Sequence, residues 1–416
     1  MTLQLFAASH LVPVSAPPLE GGALAVENGR ILAAGRLDEL AAAFNAPVVQ
    51  FPGCAIIPGL VNAHSHLELT HFPSWKLRKG VDYSPRTYVD WIIQVIKIRR
   101  ALTRQEREQS VAEGIRISRE SGTTAVGEIV SDPSLISSYS GSRLTGRLYL
   151  EALGHDDVHC EQVLSRIAGC LDGNHDWQFR LGVSPHTPHT LSSRFFRILE
   201  EFARQRSLPL AVHLAESRAE VDFLFDSTGP IADKLYPFVG WQEHVPRPRR
   251  TTPAAYLDSL GILSPGTLAI HCVHVTPADV EILRQRGVTV VLCPRSNDRL
   301  DHGAPPVHLL KKAGIPLALG TDSLASNDSL SMLDEVRFLL ERFPGEFTAA
   351  EALRLITLGG GQALGISDEV GSLEPGKRAD FLVVEPVTGS AGGDINRRIL
   401  ENGRLREVFI QGNSLG

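Results

Sequence analysis

His64 and His66, separated by Ser65, close the run Ala55-Ile56-Ile57-Pro58-Gly59-Leu60-Val61-Asn62-Ala63. Side chains at i and i+2 of a β-strand project to the same side. A strand of small and β-branched residues ending in His-x-His therefore offers two imidazoles to one point in space, which is a way to begin a metal site. Three later runs end in the same manner. Leu208 to Val212 leads into His213, with Glu216 three residues on; Leu268-Ala269-Ile270 leads into His271, then Cys272, Val273 and His274; Ile315 to Gly320 leads into Thr321 and Asp322. Imidazole nitrogens and a carboxylate oxygen suit a divalent ion, Zn²⁺ first, with Fe²⁺ and Mn²⁺ served by the same donors. The ligand set read here is His64, His66, His213 and Asp322 around one ion, with a position left for water. Such an ion lowers the pKa of water from about 15.7 toward about 7, so hydroxide is available at neutral pH. Glu216 stands where a proton must pass between attacking water and leaving group, a role that contributes ~10²–10⁴-fold. His271 is read as a fifth ligand or as a donor to the attacking hydroxide and developing alkoxide, the donor role being preferred. His274 is either a neighbour of that site or a structural residue. Asp322 has one oxygen for the metal and a second to accept the water's proton.

Each of these residues has an ordinary alternative. A histidine after an apolar run is often a satisfied core residue, Asp322 alone would pass for a helix N-cap, and Glu216 alone for a first-turn carboxylate favoured by the helix dipole. The decisive point is that four independent runs carry such groups at the same end. Each run is nearly continuous in apolar residues, the pattern of a parallel strand covered on both faces. In a barrel of such strands the C-terminal ends converge on one face, where the chemistry sits.

The elements between them fit that frame. Thr103 to Arg119 has helical periodicity with Thr103 as N-cap, and Ser192 to Arg206 reads as the helix before the His213 strand. Gly122 to Glu128, Leu148 to Glu151, Phe179 to His186 and Val288 to Pro294 supply further strands, which makes eight in order. Residues 241–253 are rich in Pro and Arg and read as a loop after strand five. At the two ends, short alternating segments replace this pattern. Asn28-Gly29 between apolar runs signals a hairpin, and 379–384 and 406–413 again read as strands and a turn. The expected fold class is α/β: a (β/α)8 TIM barrel over 59–365 with a small composite β-sandwich domain from 1–58 and 366–416.

The chain has 416 residues and a formal net charge of −6. No basic stripe is visible, which argues against a nucleic acid partner, and no run of eighteen apolar residues suggests a membrane span. The segment Met1 to His10 lacks the pattern of a signal peptide. Cys54, Cys160, Cys170, Cys272 and Cys293 are odd in number and form no C-x-x-C pair, which favours reduced thiols in a cytoplasmic protein.

The chain resembles the amidohydrolase superfamily, within its deaminase and chlorohydrolase branch. The matching stretches are Pro58 to His66, His213 to Glu216, His271 to His274, Cys293 to Asn297, Leu319 to Asn327 and Gly371 to Asp380. The resemblance implies a single-metal hydrolase acting on carbon–nitrogen bonds other than peptide bonds, supports His271 over His274 as the catalytic histidine, and places His186 against the substrate's heterocycle. Dimers are common in the family, so a homodimer is an expectation from resemblance alone. Enzymes of the branch include methylthioadenosine/S-adenosylhomocysteine deaminases, guanine deaminases, triazine chlorohydrolases and aminodeoxyfutalosine deaminases. Glu68 directly after the His pair, Glu151 at a strand end and the strand-eight motif are similar to the last group. Ser296-Asn297-Asp298-Arg299-Leu300 departs from the Ser-Asn-x-Lys-Leu of methylthioadenosine deaminases.

The expected substrate is a small heterocyclic molecule. The leading expectation is hydrolytic deamination of an aminopurine nucleoside-like compound with release of ammonia. The alternative is a chlorohydrolase or a cyclic-amide or guanine-type amidohydrolase on the same site. Glu68 and Glu151 are candidates to hold ribose hydroxyls or the substrate's polar edge; otherwise Glu68 is a solvated loop residue and Glu151 a partner of Arg143 or Arg147. Trp75, Tyr83 and Trp91 lie in a segment that could fold over the site and stack on a base.

Overall fold

The computed structural model describes residues 3–81, 83–85, 87–173, 178–385 and 393–415. Met1 and Thr2 of the N-terminal stretch, and residues 386–392 of the C-terminal part of the composite domain, lie outside the described residues. Eight parallel strands follow one another in chain order: Leu60–Ser65, Thr123–Val130, Thr145–Ala152, Phe179–Pro185, Ala211–Leu214, Leu268–His271, Thr289–Leu292 and Leu317–Leu319. They form two four-stranded sheets, and the parallel bridges Val183 to Leu210 and Ser65 to Asp322 join the sheets edge to edge into a barrel. These are strands one to eight below.

Period-two alternation sorts the side chains. Val61, Ala63, Ala125, Ile129, Tyr149, Ala211, Ile270, Val291 and Ala318 pack together in one cluster, while Leu60, Val126, Val130, Val212 and Val290 join the larger cluster shared with the surrounding helices. Both faces are covered, so the strands read as continuous apolar runs. Helix Arg104–Glu120 begins where the sequence indicates, with a reciprocal capping box between Thr103 and Glu106. Helix Ser193–Gln205 is capped by Ser192, whose hydroxyl accepts from the Phe195 amide.

The two ends of the chain meet in one sheet. Val48–Pro58 pairs parallel with Gln4–Leu11 on one side and antiparallel with Phe381–Glu385 on the other. Asn28 and Gly29 turn the hairpin between Gly22–Glu27 and Arg30–Arg36, with φ of 50° and 77°, the left-handed geometry such turns require. The sheet is tied to the barrel at Gly59, whose amide donates to the Asp380 carbonyl at 2.9 Å. A Cβ at Gly59 would lie 2.2 Å from Thr124 Oγ1, so no larger residue fits this crossing. All five cysteines carry free thiols. No helix among the described residues is long and apolar enough to cross a membrane.

Candidate active site

Strand ends one, five, six and eight bring the predicted ligands together. Two overlapping groups, His64 with His213 and His271, and His64 with His66 and Asp322, each place one ligand atom per residue within 4.8 Å of the others. His64 Nε2 and His66 Nε2 lie 3.7 and 3.6 Å from Asp322 Oδ1, and His66 Nε2 is 3.4 Å from His213 Nε2. The backbone is bent to achieve this. Ala215, His271, Cys272 and Asp322 all have positive φ, from 50° to 72°, a region costly for residues with a Cβ and concentrated at functional sites. Gly320 makes the close approach of strands eight and one possible, since a Cβ there would lie 2.6 Å from His64 Cβ.

A surrounding layer fixes how each ligand points. His213 Nδ1 donates to the His186 carbonyl at 3.0 Å, which turns the Nε2 lone pair to the centre. Ser296 Oγ and Ser326 Oγ each donate to Asp322 Oδ2 at 2.7 Å, leaving Oδ1 for the cluster. Asn62 bridges strand one to Thr321, donating through Nδ2 to Oγ1 at 2.8 Å and accepting from the Thr321 amide at 3.1 Å. Glu128 accepts from Ser65 Oγ, the Leu67 amide and Tyr139 Oη at 2.6, 2.7 and 2.7 Å, which pins the turn that follows His66.

The residues present fit a divalent cation. Both ring nitrogens of His64 are buried with no hydrogen-bond partner, an expensive state unless an ion takes the lone pair. Burial holds His64 below its ordinary pKa and His66 and His213 well below it. They are therefore neutral, the form that binds metal.

Glu216 is 4 % exposed beside this cluster. Burial, reinforced by the Asp322 charge, raises its carboxyl well above the usual range. Its loop is set by Glu220, which accepts from the amides of Ala215 and Glu216 at 2.9 and 3.3 Å. His271 Nε2 is 3.7 Å from Glu216 Oε1, and its Nδ1 is 2.9 Å from Asn297 Oδ1. With Nδ1–H donating to that oxygen, Nε2 presents a lone pair, suited to a ligand or a proton acceptor rather than to the preferred donor role. His274 belongs to neither ligand group, and its amide bonds the Ala215 carbonyl at 2.9 Å.

A cavity of about 390 Å³ adjoins the cluster, with Glu151 and His186 on its near wall and Ile92, Ile96, Val239 and Trp241 among the apolar residues beyond. The His186 ring is 5.2 Å from that of His213. Burial pushes the His186 imidazole down to about 4, so it faces the cavity neutral. Glu151 stands 3.9 Å from His186 Nε2; Arg147 instead donates to the Leu364 and Leu181 carbonyls. Glu68 is 3 % exposed and so is no solvated loop residue. It bonds Ser131 and pairs with Arg99 at 3.4 Å, while its Oε2 is buried without a partner. Trp75 does not line the cavity. It is 2 % exposed and packs with Leu69, Phe72, Val95 and Ile98, because the short helix Phe72–Arg78 turns that face inward. Trp91 is likewise tied down, donating to the Ala325 carbonyl at 3.0 Å. Tyr88 and Trp241 supply the aromatic wall instead.

Residues 55–415 match the model of the amidohydrolase family. The chain belongs to that family. It is 32 % identical over 336 residues to an aminodeoxyfutalosine deaminase of Deinococcus radiodurans, covering 78 % of this chain and 77 % of the relative. A 5-methylthioadenosine/S-adenosylhomocysteine deaminase of Syntrophobacter fumaroxidans is 31 % identical over 391 residues, covering 88 % and 80 %. Among solved structures, an adenosine deaminase from Xanthomonas campestris with bound zinc superposes with a TM-score of 0.81 at 28 % identity, over 99 % of this chain and 92 % of that one. This amidohydrolase is a metal-dependent hydrolase with the family's barrel and extra domain.

Several residues of this amidohydrolase's site escaped the sequence reading as individuals. Ser296, Asn297 and Ser326 stand out only as parts of motifs, while Glu220 and Tyr88 carry no local signal. Trp241 was legible only as part of an irregular loop.

Proposed function

We propose that this amidohydrolase is a hydrolytic deaminase of an aminopurine nucleoside-like compound of the aminodeoxyfutalosine or methylthioadenosine/S-adenosylhomocysteine type. The observation that carries the reading is Glu216, a buried carboxyl with raised pKa beside a four-ligand cluster, with His186, next to the ligand His213, on the wall of an adjoining cavity of about 390 Å³. His64, His66, His213 and Asp322 would hold one divalent ion, with zinc favoured by the nitrogen and oxygen donors and by the zinc in the Xanthomonas relative. Such an ion supplies a water acidic enough to act as nucleophile near neutral pH.

The protein's own groups do the rest. Glu216 takes a proton from the attacking water and delivers it to the ring nitrogen, and the new C–O bond forms at the amino-bearing ring carbon. Glu216 then carries the second water proton to the amino group, the C–N bond breaks and ammonia leaves, giving the oxo product. His271 Nε2 steadies the nucleophile as a hydrogen-bond acceptor. His186, neutral and on the cavity wall, contacts the heterocycle. Glu151 is an acceptor for sugar hydroxyls, Glu68 holds Arg99 on the cavity wall, and the apolar wall excludes water from the reacting atoms.

The test is ammonia release by the metal-replete protein across aminodeoxyfutalosine, methylthioadenosine, S-adenosylhomocysteine, adenosine, guanine and cytosine, with Glu216→Gln as control. Turnover of an aminopurine nucleoside, lost in the control, is the expected result. Silence across the panel with metal bound would overturn the deaminase reading in favour of a chloro- or amide-hydrolase.

A further inference from the structure

One buried polar group next to Glu216 has no part in this scheme. His302 follows the helix Pro294–Arg299 and is 6 % exposed. Its backbone amide bonds the Asn297 carbonyl at 2.9 Å, and Asp301 before it has φ of 54°, a strained turn that directs the imidazole inward. The Tyr88 ring packs against it at 5.4 Å, close to edge-on. His302 Nδ1 lies 3.4 Å from Glu216 Oε1, yet neither ring nitrogen has a hydrogen bond of good geometry. Burial pushes the ring down to about 3, so it is neutral and carries a single N–H. A buried imidazole held this firmly and left unsatisfied beside a carboxylate is costly unless the pair closes at some stage of turnover.

We propose that His302 is a positioning residue for Glu216, donating Nδ1–H to Oε1 of the ionised carboxylate so that Oε2 is left for the reacting atoms. The inference rests on the reading of Glu216 as the proton carrier. His302 keeps its own proton throughout: the water proton moves to Oε2 and on to the substrate nitrogen, while Oε1 stays bonded to Nδ1–H. The bond restrains the rotation of a carboxylate whose other ring neighbour, His271 Nε2, lies 3.7 Å from the same oxygen.

The experiment compares kcat and KM for Glu216→Gln, His302→Leu, His302→Asn and His302→Gln on whichever panel substrate is turned over. Hydrogen bonds to charged groups are worth enough that His302→Leu should lower kcat by about ten- to a hundredfold, with KM changed by less than about threefold. An Asn amide nitrogen occupies the Nδ1 position and should recover most of the loss. A Gln amide reaches the Nε2 position and should not. Any residual turnover of Glu216→Gln should fall by less than about twofold when His302→Leu is added, since coupled residues are non-additive. Nitrogen NMR of labelled histidine gives a measurement independent of turnover, with an Nδ1–H tautomer expected whose signal moves in Glu216→Gln. Full kcat in His302→Leu with a dead Glu216→Gln overturns the positioning role alone, as does an Nε2–H tautomer or equal losses in Asn and Gln variants of matching Tm. Retained activity in Glu216→Gln overturns the proton-carrier reading itself.

Discussion

Removing the two serine hydroxyls that hold Asp322 should weaken metal binding without disturbing the fold. Ser296 and Ser326 are fully buried, and each donates to Oδ2 of the same carboxylate at 2.7 Å. A hydrogen bond to a charged group is worth about 1.5–3 kcal/mol net. At about 1.4 kcal/mol per tenfold, losing one costs about ten- to a hundredfold in affinity, the range typical of groups that orient metal ligands. Because both bonds share one oxygen, the survivor compensates in part, so each Ser→Ala change should fall near tenfold. The double variant, with Oδ2 buried and bare, should reach about a hundredfold or more. The assay is competition for zinc against a chelator of known affinity, with metal content after dialysis and far-UV circular dichroism as controls. Metal affinity within about threefold of the parent in a folded double variant would refute the argument that these hydroxyls fix the carboxylate for the ion.

Two further outcomes follow from the same geometry. Gly320→Ala should cost about 1–3 kcal/mol by overpacking and lower metal content together with the denaturant midpoint, because the new Cβ would meet His64 at 2.6 Å; an unchanged midpoint would show that the strands can separate freely. His189 is pushed down to about 3 by burial first and by the neighbouring His186 and His155 imidazoles after it. The unfolded chain protonates it near 6.5 and the folded one does not, so its contribution to stability is present above pH 6.5 and falls as pH drops toward 3. Between pH 6.5 and about 5 that is a loss of about 1.6 kcal/mol, which His189→Gln should remove from the difference between urea midpoints measured at those two values. An identical pH slope in the variant would count against a neutral buried His189.

Much of the site was legible because it is written in local pattern. An apolar run ending in a polar residue identifies a strand and its C-terminal end within a few residues, and His64, His66, His213, His271 and Asp322 all lie at such ends. Thr103 and Ser192 were readable as caps for the same reason, since a hydroxyl followed three residues later by an amide it can accept from is a contact within one turn. Trp75 shows the limit of this kind of reading. Its neighbours in sequence give a short helix with aromatic residues, but only the position of Val95 and Ile98 decides that the indole turns into the core and that Tyr88 and Trp241 line the cavity.

What the sequence by itself determined is the order of the strands, the identity of the donors and the presence of a carboxyl three residues beyond His213. Each depends on period and residue type alone. What only the tertiary structure decided is which oxygen of Asp322 faces the cluster, which tautomer His271 adopts against Asn297, and that His302 reaches Glu216 from a separate loop. These are contacts between residues far apart in the chain, created when strands five to eight pair side by side. A hydrogen bond of 2.7 Å between Ser296 and Asp322 exists only once strands seven and eight are paired, and no local preference of either residue encodes it.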